Sequence, residues 1–372
     1  MGIIRRWINY FHRLFHQADL AVTLGRQNKR LNRRIEESIQ KEFMRRDVWA
    51  FKDEEVRRLA KGRKIWVIKC PAPDSDAKYK WGDYAYCQAL QAVIERAGFY
   101  AVVECYEDWY EPIRADIALV MRGAHLYHPD RRNTGCRYLM WNVVHPEQVA
   151  DEEYELYDRV YVDSLTLADR LDQRLSVPVS GMIVGVDTAK FHPGSPENRK
   201  PVKYGLVFVG NTRGELRDCV AWCEKYHIRV DIWGNGWDSF YSGDTEYLHF
   251  HDPISYDRLP DLYRKSAVVL NDHFPTMREV GMVNNRMIEA PACGCPVVSD
   301  YSPEYERLPG RFFFYHGEDD FADAVKQAMN HAAEWRKETE EQFEVLEAGY
   351  SMENCIRRIL SDLEADEKII QK

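Results

Sequence analysis

A short apolar run followed by a helical pattern, repeated on both sides of one loop, constrains this chain more than any other feature. On the N-terminal side, strands are predicted at 65–70, 100–105, 116–121, 138–144, 159–162 and 177–184, with a helix over 82–97. On the C-terminal side, strands are predicted at 205–210, 228–233, 267–270 and 296–299, and helices at 216–226, 259–264 and 284–293. Apolar runs that alternate with helices belong to parallel sheets covered on both faces. The expected fold is therefore α/β: two Rossmann-like, doubly wound parallel-sheet domains facing a cleft. A length of 372 residues suits two such lobes better than one core. The loop at 185–200, rich in Gly, Asp, His, Pro, Ser and Asn, is the expected linker. The boundaries that follow are a basic helical extension at 1–63, an N-terminal domain at 64–185, a C-terminal domain at 186–333 and closing helices at 334–372.

The net charge of −9 is unevenly divided: 17 of 51 Lys/Arg and 8 of 60 Asp/Glu lie in the first 64 residues, leaving 34 against 52 in the rest. In that basic segment Ile4, Trp7, Ile8, Phe11, Leu14, Phe15 and Ala18 recur at helical spacing, with Arg5, Arg6 and Arg13 on the opposite arc. Such a helix either packs on the body or on a partner, or lies on an anionic membrane surface through residues 1–46. No cleavable signal pattern and no apolar run of 18 residues is present, so the expected location is cytoplasmic, with peripheral attachment to the inner face of the membrane on the second reading. Nucleic acid is not expected among the partners. Nine scattered cysteines form no paired or zinc-binding framework and read as buried thiols.

The stretch from Asn271 to Asp300 carries the most chemistry. A strand ends at Asn271, a loop follows, and a helix begins within 281–285, so free backbone N–H groups and a positive helix end are expected to face the cleft. That is a seat for a diphosphate. Gly281, Asn284 and Asn285 stand at this turn, Arg278 or Arg286 can add a charge-assisted contact, and Glu289 lies lower on the same helix. At the end of the first strand of this domain, Gly210 permits close backbone approach, Asn211 follows, and one of Arg213 or Arg217 can supply charge. Gly234 and Gly236 mark the next strand end, where a base could be admitted or a plain turn made. In the N-terminal domain, Gly82, Asp83 and Tyr84 open a helix, while Arg122 and His145 follow strand ends at the mouth of the sheet. Asp74-Ser-Asp76 matches a metal-binding Asp-x-Asp only by spacing.

The block 271–300 resembles the donor-binding stretch of GT-B glycosyltransferases, especially family four and the group 1 relatives that include the CgeB type. Gly185-Val186-Asp187, followed by Phe191 and Pro193, is similar to the hinge of family four. The resemblance implies a nucleotide-sugar donor on the C-terminal lobe and a glycan or lipid-linked acceptor on the other, in the making of a cell-surface polysaccharide. It also implies no metal cofactor and retention of configuration. Glu289 takes the place of the distal glutamate that binds the ribose, and His145 that of a histidine touching the transferred sugar. Gly82, Asp83, Tyr84 and Arg122 take positions that hold acceptor or donor sugar. One departure matters: family four has a second glutamate eight positions earlier, and Gly281 stands there. Glu279 or Asp272 is expected to substitute, making His145, Glu279 and Arg286 the expected catalytic set. A nucleotide-sugar 2-epimerase and a non-catalytic nucleotide-sugar-binding partner are the competing classes.

Overall fold

The computed structural model describes residues 48–370 apart from 111, 112, 132, 134, 196, 198–200 and 213. Arg213 and the basic arc at 1–46 lie outside the described residues.

Two six-stranded sheets form, and each strand pairs in parallel with its neighbours. The first holds β1 (Ile65–Lys69), β2 (Tyr100–Glu104), β3 (Ile117–Arg122), β4 (Arg137–Asn142), β5 (Arg159–Val162) and β6 (Val179–Gly181) in the order β2-β1-β3-β4-β5-β6. The second holds β7 (Tyr204–Val209), β8 (Val230–Trp233), β9 (Leu248–His251), β10 (Ser266–Leu270), β11 (Val297–Asp300) and β12 (Phe312–Tyr315) in the order β12-β11-β10-β7-β8-β9. The expected pair of doubly wound α/β domains is what forms. Central strands were legible because both their faces are covered: all six residues of β3 and all five of β1 are buried.

Two strands went unpredicted, and both are edges of the second sheet. β9 reads Leu-His-Phe-His with one buried residue of four, and β12 reads Phe-Phe-Phe-Tyr with two. Four-residue edges carry too short a pattern to stand out against loop sequence.

Each lobe has a core on both faces of its sheet. The predicted extension and tail turn out to share in the first of them. Val56 and Ala60 of the helix Val48–Ala60 sink into the first lobe's core. At the other end, the helix Met352–Ile370 crosses back from the second lobe and buries Met352, Cys355, Ile356 and Ile359 against the first sheet. Arg159 fixes it there through both carboxylate oxygens of Asp366, at 2.7 and 3.0 Å. The closing segment thus divides: Ala332–Glu341 and Phe343–Tyr350 pack with the second lobe, and the last helix belongs to the first.

The two crossings run side by side. Val186 N–H donates to Tyr350 O at 2.8 Å and Met352 N–H to Val186 O at 3.0 Å. Gly185 is required by this contact, since a Cβ there would sit 2.8 Å from Met352 N. Asp187 turns the outgoing chain by accepting from Ala189 N–H, and Phe191 is fully buried beneath it.

Candidate active site

The second sheet changes direction between β10 and β7, and a parallel sheet opens its ligand crevice at such a point. The loops that leave β7, β8 and β10 meet there. Gly234, at φ +156°, lets the β8 loop lie on the β7 loop: a Cβ would stand 2.1 Å from Gly210 O. Gly236, at φ +85°, does the same over Thr212. Asn211 Oδ1 completes the join by accepting from Asn235 N–H at 2.7 Å. The glycines expected to admit a base therefore serve loop-on-loop packing.

The arginines are spent on the scaffold as well. Arg217 is 4% exposed and grips both oxygens of Asp272, with a third donor on Asn211 O. Arg286 donates to Asn271 Oδ1 at 2.6 Å, Val209 O at 2.5 Å and Asp272 O at 3.1 Å, tying the ends of β7 and β10 together. Arg217, held by a carboxylate and a carbonyl, and Arg286, held by three carbonyl oxygens, act as struts here, so of each expected pair the free cation is left to Arg213 or Arg278. Asp272 is held between Arg217 and Arg286 and is likewise not a free acid. Arg278 is the exposed cation of this region, 3.8 Å from Asp300, and Glu279 beside it is exposed too.

The turn before Glu289 is more enclosed than its sequence implied. Met282 and Val283 are fully buried, and Val283 N–H donates to Asp163 O of the first lobe at 3.2 Å. Asn284 N–H is directed at His273 Nε2 and its side chain donates to Asp272 O. The backbone N–H groups of Asn285 and Arg286 are the ones this turn leaves for an anion among the described residues.

Gly281 has a steric reason to be glycine. It sits at φ +72°, and a Cβ would meet Glu304 Oε2 at 2.7 Å. Glu304, 5% exposed, reaches from the second lobe to the start of the first-lobe helix Leu165–Asp172, where it accepts from Ser164 Oγ, Leu165 N–H and Thr166 N–H. Ser164 Oγ shares its single proton with Val280 O, at 2.6 Å. Asp163 beside it is fully buried, and burial pushes its carboxyl well above the ordinary range. The place of the missing glutamate is thus occupied by an interlobe contact.

Glu289 is 5% exposed. Burial lifts its carboxyl to about 7, against the pull of the Arg286 charge and the nearby Tyr256 and Asn285 side chains. Tyr256 and Tyr263, two buried hydroxyls on the helical turn after β9, flank this carboxylate, and the first-lobe Tyr86 lies close to Tyr256. Sequence reading missed this tyrosine group. It also missed the pair His273–Asp300, buried and 2.6 Å apart, with the His273 ring stacked on Tyr305. Burial pushes the Asp300 carboxyl up, yet His273 outweighs it and holds the acid below its usual value. The signal was present, because both residues sit at the carboxyl ends of neighbouring strands.

In the first lobe, His145 follows β4 with φ +52°, a backbone state uncommon outside glycine. Its ring lies 4.8 Å from Phe274 of the second lobe, and Nδ1 is 3.1 Å from Glu147 Oε1. His145 is therefore at the lobe junction. Arg122 is not at the mouth: it is 3% exposed and clasps Glu153, which corrects its expected sugar contact. Gly82 is exposed and Asp83 and Tyr84 half-buried at the start of Gly82–Arg96, with Tyr84 edge-on to Tyr79. Asp74 is tied to Lys78 at 2.8 Å.

Residues 215–361 match the family model described as Glycosyl transferase-like. Among solved structures, the sucrose-phosphate synthase of Thermosynechococcus elongatus aligns with TM-score 0.60 at 13% identity over 82% of this chain and 100% of its own. Anabaena HepE in complex with UDP aligns with TM-score 0.54 at 12% identity over 81% and 100%. An alpha-glucosyltransferase in complex with UDP and DNA aligns with TM-score 0.57 at 10% identity over 82% and 100%. The chain has a GT-B fold, and its similarity to the glycosyl transferase-like family lies in the second lobe and the closing helices. No curated protein matches this chain in sequence. Among its described residues no helix is long and apolar enough to cross a membrane.

Proposed function

We propose that the transferase moves a sugar from a nucleotide-sugar donor, seated against the second lobe, to a glycan or lipid-linked acceptor entering over the first, in the assembly of a cell-surface polysaccharide. The observation that carries this reading is Glu289: a buried carboxyl beside the β7/β10 switch point, within the domain that matches the family. In this reading Glu289 accepts from the donor's ribose. The N–H groups of Asn285 and Arg286, with Arg278 at the rim, face the diphosphate, and they support leaving-group stabilisation without a metal cofactor. His145 lies across the junction, where the transferred sugar would pass. Retention follows if the acceptor hydroxyl attacks from the face the diphosphate leaves, its proton passing to the departing oxygen. Attachment to the inner membrane face through residues 1–46 belongs to the same proposal.

A second reading, a nucleotide-sugar binder without transfer activity, is favoured by one observation. Gly281 and Glu304 occupy the place of the proximal glutamate, and Glu279 is exposed on the neighbouring helix. One experiment separates the readings. Nucleotide sugars are screened by thermal shift and by nucleotide release with and without acceptor glycans; a ligand at 100 times its dissociation constant adds about 2.7 kcal/mol. The transferase reading expects a shift and acceptor-dependent release, both abolished in Glu289→Ala. A shift without release leaves the binder, and no shift with any donor sinks both.

A further inference from the structure

A second concave site lies on the flank of the second lobe. Lys203, Tyr204, Trp233, Arg258, Asp261 and Lys265 are among the residues that line a cavity of ≈580 Å³. Lys203 and Lys265 immediately precede β7 and β10, at the end of the sheet opposite Gly210. The six residues of β7 put roughly 20 Å between those two ends. Its two lysines therefore stand at the far end of the sheet from Gly210, while the aromatic wall runs along the sheet face to Trp233 at the carboxyl end of β8.

Its charge runs against that of the whole molecule. The chain carries −9, yet this groove gathers three cations against Asp261. That acid is already engaged, 2.9 Å from Arg264 and 3.7 Å from Lys265. Arg258 forms no ion pair among the described residues, and Lys203 Nζ stands 4.8 Å over the Tyr204 ring. An isolated basic concavity on an acidic protein selects an anionic ligand.

The aromatic wall narrows the class further. Trp233 stacks on His251 at 4.2 Å and 11°, His251 is pinned by Asp231 at 2.7 Å, and Tyr204 meets Trp233 edge-on at 5.0 Å. Trp233 is left 7% exposed, so a nucleobase has no free indole face to stack on. What the groove offers beside the cations is Val202, 51% exposed, and the rim of Tyr204, whose ring lies under Lys203. A sugar ring presents C–H faces to such a wall while its carboxylates or phosphates reach the ammonium and guanidinium groups.

We propose that this flank groove binds an anionic saccharide segment. That the saccharide is the negatively charged acceptor or growing product rests on the transferase reading; the binding itself does not. The test is calorimetric titration of the full chain with a six-residue oligogalacturonate, with maltohexaose and with a twelve-nucleotide single-stranded DNA. The oligogalacturonate is expected to bind at least tenfold more tightly than maltohexaose and to weaken as salt is raised. Lys203→Glu combined with Arg258→Glu, both exposed positions, is expected to weaken it at least tenfold and to leave any nucleotide-sugar thermal shift unchanged. Absence of oligogalacturonate binding, equal binding by the charge-reversed protein, or tighter binding of the DNA through the same two residues would each overturn the proposal. If no nucleotide sugar binds while the oligogalacturonate does, the transferase reading falls and the groove stands.

Discussion

Glu304→Ala removes a carboxylate that crosses from the second lobe to cap a helix of the first. Two backbone donors point at that group, Thr166 N–H at 3.2 Å and Leu165 N–H, and Ser164 Oγ at 3.0 Å shares its single proton between Glu304 and Val280 O. A hydrogen bond to a charged acceptor contributes about 1.5–3 kcal/mol, and loss of an N-cap costs about 1 kcal/mol. The three share one acceptor and are not additive, and Ser164 Oγ still caps Leu167 N–H at 3.0 Å after the change. A net loss of about 3 kcal/mol at the junction is expected. Hydrogen exchange read by mass spectrometry over 164–168 measures it locally, which avoids assuming two-state unfolding of a two-lobed chain. About 3 kcal/mol corresponds to a protection loss on the order of 100-fold at these amides. Solution scattering should show a larger radius of gyration as the lobes part. Unchanged exchange at 164–168 together with an unchanged radius would refute the claim that this carboxylate holds the lobes together.

Gly281→Ala should destabilise the wild type by about 2–3 kcal/mol, from a positive φ and a 2.7 Å contact with Glu304, but by only about 1 kcal/mol in Glu304→Ala; equal costs in a denaturation cycle would contradict the packing argument. Glu289 holds its proton to about 7 in the folded chain and releases it near 4.5 when unfolded, so the folded state binds the extra proton between those values. Stability then falls as pH rises from about 4.5 to 7, by up to about 3 kcal/mol, and urea midpoints of Glu289→Gln should lack that fall. Gly234→Ala places a methyl group 2.1 Å from Gly210 O and should prevent accumulation of folded protein, as judged by soluble yield and circular dichroism.

Local pattern was enough for the two parallel sheets and the hinge. Buried strands such as β1 and β3 must be apolar along their whole length, and Asp187 and Phe191 act within a few residues of the turn they make. Glu289 could be placed on its helix for the same reason. Side-chain partners were a different matter. Arg122, Arg217 and Arg286 look like ligand-binding cations in sequence, and only the folded chain brings Glu153, Asp272 and the β7 carbonyl to absorb them. Gly281 looks like a lost acid until Glu304, 23 positions away, is seen to need the space. Periodicity is a property of neighbours along the chain, so it settles elements and their order. Whether a charge is free or spent, and whether a turn is open or covered, depends on groups that meet through packing between lobes, and no local pattern encodes that meeting.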